Sequence, residues 1–347
     1  MDMRKNFVAI FLVAGLITGC SSLLTASIEA TPIPISNFLL NKDPNNPATP
    51  TPFQPIPPTA TIGAISTPLP SLVPTEQNVP QVSSSVNLSF PRPPGQVNIL
   101  LLGSDYRPGR GYRTDVMMVL SLNPTEGTAS LTSFPRDLYV DIPGIGPERI
   151  NTAQSFGGFA LSAATLMNNF NVPVDYYLMT TFSGFKGIVD TLGGVNIYAS
   201  YELYDSCSLP QAVNKMCYVP AGSNTMNGET ALWYVRSRYS TNDFDRTRRA
   251  QEMVRAIFQK TMSLDALSRG PELYNMFISS VETNIPLEVV RELLPFSSKI
   301  IADPSIVKRY AIGPENTYDY IVPGSGAMVL IPDMVSISGI IQQAIYP

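Results

Sequence analysis

Val97-Asn98-Ile99-Leu100-Leu101-Leu102-Gly103-Ser104-Asp105 decides how the rest of the chain is read. A short, mostly apolar run stopped by glycine has the length and composition of a buried strand. A carboxylate follows within two residues of the stop. Working outward, Val116 to Leu122 and Thr128 to Phe134 have the same character and are joined by the turn Asn123-Pro124-Thr125-Glu126-Gly127, so two more strands are predicted. Further on, the pattern predicts a helix over 158–170, a strand over 176–179, a helix over 182–192 and a strand over 195–198. Strands alternating with helices argue for an α/β protein, and the expected architecture is a layered α-β-α fold with a central mixed β-sheet.

A short helix is predicted from Met226-Asn227-Gly228-Glu229 through Arg236, and the clearest helix in the chain over 243–262. There Ala250, Met253, Val254, Ile257 and Phe258 form one apolar stripe, with Arg246 and Arg249 off it. Amphipathic helix is also expected over 271–281 and 286–301, with a terminal helix from Pro332. No internal repeat is present.

Upstream of the first strand the composition changes abruptly. Sixteen of the 32 prolines lie between Ser21 and Pro94, among Ser, Thr and Asn, with few charges. Such a segment buries too little apolar surface to offset its ordering entropy, and its proline content favours extended chain. It is expected to be a disordered tether. Before it stand Arg4 and Lys5, an apolar run from Phe7 to Ile17, and Thr18-Gly19-Cys20. The run is short of the ~20 residues of a membrane-spanning helix and reads as a signal peptide. Its Leu16-Ile17-Thr18-Gly19-Cys20 ending resembles a bacterial lipobox, which implies cleavage before Cys20 and lipid attachment to its sulfur. Export permits Cys207 and Cys217 to pair. They bracket a short polar segment, so a loop-closing disulfide is expected, with two free thiols as the alternative.

The net charge of −4 gives no general attraction to nucleic acid, and none is expected as a partner. Its distribution is more telling. Of 23 basic residues 16 are Arg, and 11 of these lie between Arg107 and Arg255. Arginine is the side chain suited to bidentate phosphate recognition, so an anionic ligand is indicated. The chain has no histidine, which excludes His-based triads and a His general base. Catalysis must use carboxylates, arginines, hydroxyls or a hard cation.

The acids and arginines sit at informative places. Asp105 follows the first strand and Asp115, within Arg113-Thr114-Asp115, precedes the second; two carboxylates at neighbouring strand ends suit Mg²⁺ beside phosphates. Ser133-Phe134-Pro135-Arg136-Asp137 closes the third strand, where ligand sites of open α/β sheets gather. Arg149-Ile150-Asn151 adds a cation and an amide, and Arg236-Ser237-Arg238 two more cations. Asp243-Phe244-Asp245-Arg246-Thr247-Arg248-Arg249 opens the strong helix, whose N-terminus favours anions. Arg113, Arg136, Arg149, Arg236, Arg238, Arg246 and Arg249 are thus candidate ligands for a phosphate-bearing anion.

Taken in order, Gly103-Ser104-Asp105, Arg113-Thr114-Asp115, Ser133-Phe134-Pro135-Arg136-Asp137, Arg149-Ile150-Asn151-Thr152-Ala153, Val174-Asp175-Tyr176-Tyr177, Leu192-Gly193-Gly194-Val195, Met226 to Leu232 and Tyr234 to Arg238 resemble the LytR–CpsA–Psr family over roughly residues 96–262. The resemblance implies a phosphotransferase that takes a glycopolymer from a polyprenyl pyrophosphate and joins it to peptidoglycan or a related wall acceptor. It further implies Mg²⁺ held by Asp105 and Asp115, phosphate contacts from Arg113, Arg136, Arg236, Arg238 and Arg246, and an apolar tunnel for the lipid tail between sheet and helices. Three departures stand out: Arg149 where Lys is usual, Arg249-Ala250 with Gln251 where Arg-Gln is usual, and a lipobox in place of an N-terminal transmembrane helix.

The chain is accordingly expected to comprise a signal peptide (1–19), a linker starting at lipidated Cys20 (20–94), a catalytic domain (95–265) and a helical and extended portion packed on it (266–347). It would be extracytoplasmic and membrane-anchored through lipid. Asp115 is the first candidate for proton acceptor and Asp243 the second, with Arg113 and Arg136 beside them. A polyprenyl-pyrophosphate hydrolase and a non-catalytic lipid- or wall-polymer-binding lipoprotein are the alternatives. Oligomeric state is left open.

Overall fold

The computed structural model describes residues 90–107, 111–263 and 269–347. The signal peptide, Cys20 and nearly all of the linker lie outside them. A six-stranded mixed sheet organises the described residues. Its centre is β1 (Val97–Arg107), paired antiparallel with β2 (Gly111–Asn123), which pairs antiparallel with β3 (Thr128–Phe134). On the other side β6 (Tyr176–Thr181) runs parallel to β1. Between β3 and β6 lie the small hairpin of β4 (Tyr139–Ile142) and β5 (Gly146–Arg149) and the helix α1 (Thr152–Phe170).

The first strand does not stop at Gly103 as predicted. It continues across a β-bulge, because Gly103 faces Val116 while Ser104 faces Thr114, leaving Asp115 as the extra residue of β2. Space at the bulge is tight: a Cβ on Gly103 would stand 3.1 Å from the Cβ of Val116, so a larger residue would require Val116 to shift. Helix α1 likewise starts earlier than expected, at Thr152, and is broken where Gly158 takes φ 61°.

One face of the sheet carries Leu100, Leu102, Met117, Val119 and Phe134, sealed beneath α1 and the terminal helix α7 (Met334–Ile345). The opposite face carries Ile99, Leu101, Met118, Leu120 and Leu131. It packs against α4 (Asp243–Thr261) and α6 (Leu287–Ala302) through Ala250, Val254, Phe258, Leu293 and Phe296.

A second cluster of buried side chains lies under α2 (Phe182–Thr191), α3 (Gly228–Arg236) and the inner side of α4. It is covered by two strand pairs, β7 (Val195–Ala199) with β10 (Gly222–Met226), and β8 (Leu203–Ser206) with β9 (Met216–Val219). Cys207 and Cys217 form a disulfide across the β8–β9 hairpin, with Cα atoms 5.7 Å apart. Both α3 and α4 start on asparagine caps, Asn227 accepting from Thr230 N and Asn242 from Asp245 N, which removes one orphan donor at each N-terminus.

The residues after 265 enter the sheet itself. β11 (Val281–Thr283), which follows α5 (Gly270–Ser280), forms one edge against β6, and β12 (Val307–Ala311) forms the other, parallel to β3. A hairpin of β13 (Thr317–Ile321) and β14 (Met328–Pro332) bridges to Leu138 beside β4. The sheet and its sealed core therefore draw on both sides of residue 265. No helix among the described residues is long and apolar enough to cross a membrane.

Candidate functional site

Topology brings the predicted residues to one end of the sheet. β1 and β6 end there, with Ser104 opposite Thr181; β2 enters there and β3 leaves. This is the carboxyl end of the parallel pair, the side on which open α/β sheets bind ligands. Asp105 sits just past the bulge on β1, opposite Arg113. Asp115 occupies the bulge, the sort of irregularity that re-aims a side chain at a strand end.

Arg136 is the hub. Its Nη1 donates to Asp115 Oδ1, and its Nε lies 3.2 Å from Asp137 Oδ2 and 3.8 Å from Asp243 Oδ1. Asp243, in the first turn of α4, is 2.8 Å from Nη2 of Arg246, which also reaches the backbone oxygen of Asp115 at 3.3 Å. Arg149 completes the group, with Nε 3.3 Å from Asp137 Oδ1 and Nη2 donating to Met328 O at 2.6 Å. The backbone beneath is fixed as well: Asn151 N donates to Arg136 O, and Ile150 N to Leu138 O. Three arginines and three aspartates form one connected network. Asp137 is a member beyond the candidates named from sequence; its adjacency to Arg136 is the signal that marks it.

Burial sets the electrostatics. Desolvation pushes the Asp243 carboxyl up from its ordinary value, against the pull of Arg246, Arg136 and Arg238. Desolvation also lowers Arg246, reinforced by Arg136 and opposed by Asp243, Asp115 and Asp137. Both partners of that pair are thus pushed toward their neutral forms, as expected when removal from water outweighs mutual attraction. At Arg136 burial lowers the affinity for the proton, but Asp137, Asp115 and Asp243 more than offset it and the net shift is upward.

Around this partly buried network stand cations in contact with solvent. Arg113, Arg236 and Arg238 are exposed. The guanidinium of Arg236 lies 4.2 Å from the ring centroid of Phe182, the residue that follows β6, so it overhangs the same strand ends. Arg238 is close enough to favour the charged form of Asp243. Exposed guanidinium groups beside a partly desolvated acid–base network can receive a polyanion by charge-assisted hydrogen bonds.

One predicted site residue is corrected. Arg249 is no phosphate ligand: it is 1% exposed, and its guanidinium donates to Tyr234 O, Ser237 O and, at 3.2 Å, Thr241 Oγ1. Helix α4 is covered on two sides, by the sheet and by the second cluster, so a residue off the first apolar stripe is still inside. Arg249 fixes the turn that displays Arg236 and Arg238. Gln251 is also structural, donating from Nε2 to Ser133 Oγ and Tyr310 O, each at 2.7 Å.

Asp105 and Asp115 stand on adjoining strands at the mouth of the site. No group of three or more His, Cys, Asp or Glu among the described residues is arranged to hold a metal. A pair of carboxylates fits Mg²⁺, which takes its remaining oxygens from phosphate and water. The cavity beside them is lined by Asp115, Val116, Met118, Arg246, Thr247 and Ala250 and measures about 10 Å³, on the scale of one water. The sheet and α4 meet along an apolar seam in which Leu101, Val116, Leu120, Val254 and Phe258 are half-buried.

Comparison with known proteins agrees with this geometry. A model of the LytR_cpsA_psr family matches residues 71–326. A Bacillus anthracis protein, polyisoprenyl-teichoic acid–peptidoglycan teichoic acid transferase TagU, is 30% identical over 254 residues, 72% of this chain and 75% of that protein. TagU of Bacillus licheniformis is 31% identical over 195 residues, 55% of this chain, and the match spans 60% of that relative's length. The structure of TagT with bound octaprenyl pyrophosphate lipid superposes with a TM-score of 0.53 at 25% identity, covering 76% of this chain and 97% of that one.

Proposed function

The chain belongs to the LytR–CpsA–Psr family, and from that premise we propose that it is a phosphotransferase. It moves a glycopolymer from a polyprenyl-pyrophosphate carrier onto peptidoglycan or a related cell-wall acceptor through a phosphodiester bond. The observation that carries this reading is the Arg136 hub, with three acids gathered around it and exposed arginines above it, at the end of an apolar seam. A diphosphate with a prenyl tail matches both halves, anion at the strand ends and hydrocarbon along the sheet.

In this proposal Arg113, Arg236 and Arg238 bind and orient the pyrophosphate, and Arg136 and Arg246 stabilise the charge that builds as the phosphoryl group transfers. An acceptor hydroxyl oxygen forms a bond to the sugar-linked phosphorus, the bond from that phosphorus to the lipid phosphate breaks, and prenyl monophosphate departs. The hydroxyl proton passes to a carboxylate. Asp115, the first choice from sequence, is engaged by Arg136 and would also hold the cation; Asp243, whose proton affinity burial raises despite its pairing with Arg246 and Arg136, is the better acceptor. Asp105 and Asp115 would hold Mg²⁺, which supplies charge neutralisation at the pyrophosphate. The protein acts outside the cytoplasm, anchored by lipid on Cys20.

The test is direct. The purified protein is incubated with a prenyl-pyrophosphate-linked glycan and isolated sacculi, and products are identified by mass spectrometry. Glycan joined to the wall through a phosphodiester, with prenyl monophosphate released, is the expected result. Release that is independent of sacculi would mean hydrolysis, and no release would refute the assignment. Chelation should stop turnover and added Mg²⁺ restore it.

A further inference from the structure

Five tyrosines between residues 198 and 239, Tyr198, Tyr201, Tyr204, Tyr218 and Tyr239, are 56–87% exposed. Scattered exposed aromatics need no explanation, but a concentration beside an active site does. Strand alternation is what turns them outward. In the β8–β9 hairpin Leu203, Asp205, Cys217 and Val219 are buried, which leaves the directly paired Tyr204 and Tyr218 on the outer face. We propose that this disulfide-closed hairpin, with Tyr239, is a binding platform for the sugar backbone of the acceptor glycan.

Three observations support that occupant. First, the platform is built onto the pyrophosphate site. The buried carboxylate of Asp205 accepts from Tyr239 N at 3.0 Å, and Trp233 Nε1 donates to Ser206 O at 2.9 Å. The hairpin is thereby tied to α3 and to the turn carrying Arg236 and Arg238. Second, it is rigid: the Cys207–Cys217 bond closes it, and Glu202 accepts from the Tyr218 hydroxyl at 3.0 Å. Tyrosines held in this way offer large flat faces at little entropic cost, with polar hydroxyls at the edge. Third, the charge is balanced. The hairpin exposes Ser208, Gln211 and Asn214 with one Lys215, a surface matched to a neutral polyhydroxyl chain stacking its C–H faces on the rings. An anionic lipid surface would call for a basic patch.

This inference rests on the transferase reading, and its experiment separates the two. Peptide-free glycan strands released from peptidoglycan are titrated into the full protein by calorimetry, and donor-lipid binding is measured on the same samples. The wild type should bind the strands, Tyr204→Ala with Tyr218→Ala should weaken that binding about tenfold, and the Tyr→Phe pair, which keeps both rings, should stay within about twofold. Donor-lipid binding by the alanine pair shows that the arginine site is intact. Unchanged glycan binding in the alanine pair, no binding by the wild type, or capture of anionic vesicles in place of strands would overturn the platform. Glycan binding without any donor turnover would instead sink the transferase reading and leave the platform standing.

Discussion

The two faces of the central sheet are made from alternate residues of the same strands, yet they end in different states. Leu100, Leu102, Met117 and Val119 are at most 2% exposed beneath α1 and α7. On the other face Ile99, Met118 and Leu131 are buried too, but Leu101, Val116 and Leu120, immediate neighbours of the sealed residues, are half-buried beneath α4 and α6. Residue chemistry does not separate them; what is laid over them does. The sealed face supplies stability through complete burial. The other retains apolar surface that a hydrocarbon chain can still cover, and it runs to the strand ends where Asp115 and Arg246 sit. A single sheet thus seals one side completely and leaves part of the other side's apolar surface accessible.

That division can be broken or sharpened by measurement. The largest effect belongs to the acid at the end of the half-open face. Asp243→Asn should slow transfer by about 10²–10⁴-fold, the usual contribution of a positioned proton acceptor. Its pH dependence has a definite sign. Because the folded carboxyl is raised, the accepting form fills only as pH climbs from the ordinary aspartate value of about 3.9 through the raised one. The protein loses some stability over that same interval. A rate profile should show this acid limb in the wild type and lack it in the variant; an unaltered limb would give the proton to another group.

Arg136→Ala should cost about 10²–10³-fold in the transfer step, read in a single turnover. Next comes the sealed face, where Leu100→Ala should lower unfolding free energy by about 2–5 kcal/mol in denaturant titration with donor affinity unchanged. Leu101→Ala should do the reverse, costing about 1 kcal/mol or less in stability and about tenfold in prenyl-lipid affinity. Equal stability losses at 100 and 101 would erase the distinction between the faces.

Much of this was legible in the order of residues. The strands at 97, 116 and 128 and the helices near 182, 243 and 287 follow from apolar periodicity, and Arg136 and Asp115 converge as their places at strand ends imply. Three things were not legible. The bulge depends on how β1 and β2 pair, which neither strand records alone. The burial of Arg249 depends on α4 being covered twice, whereas helical periodicity gave it one apolar stripe. The entry of β11 and β12 into the sheet depends on pairings separated by some hundred residues or more along the chain, and short strands at such range leave no local mark. In each case the missing information was tertiary.

The surplus position at 115 has a consequence for how this protein can change. Excising that one residue would let β1 and β2 zip in uninterrupted register, since the ladder on either side is already regular. The shortened chain would keep the β1–β2 pairing and forfeit the carboxylate that engages Arg136. The anchor of the Arg136 network on β2 is thus an irregularity that strand pairing alone does not require, so selection for thermal robustness by itself would tend to remove it.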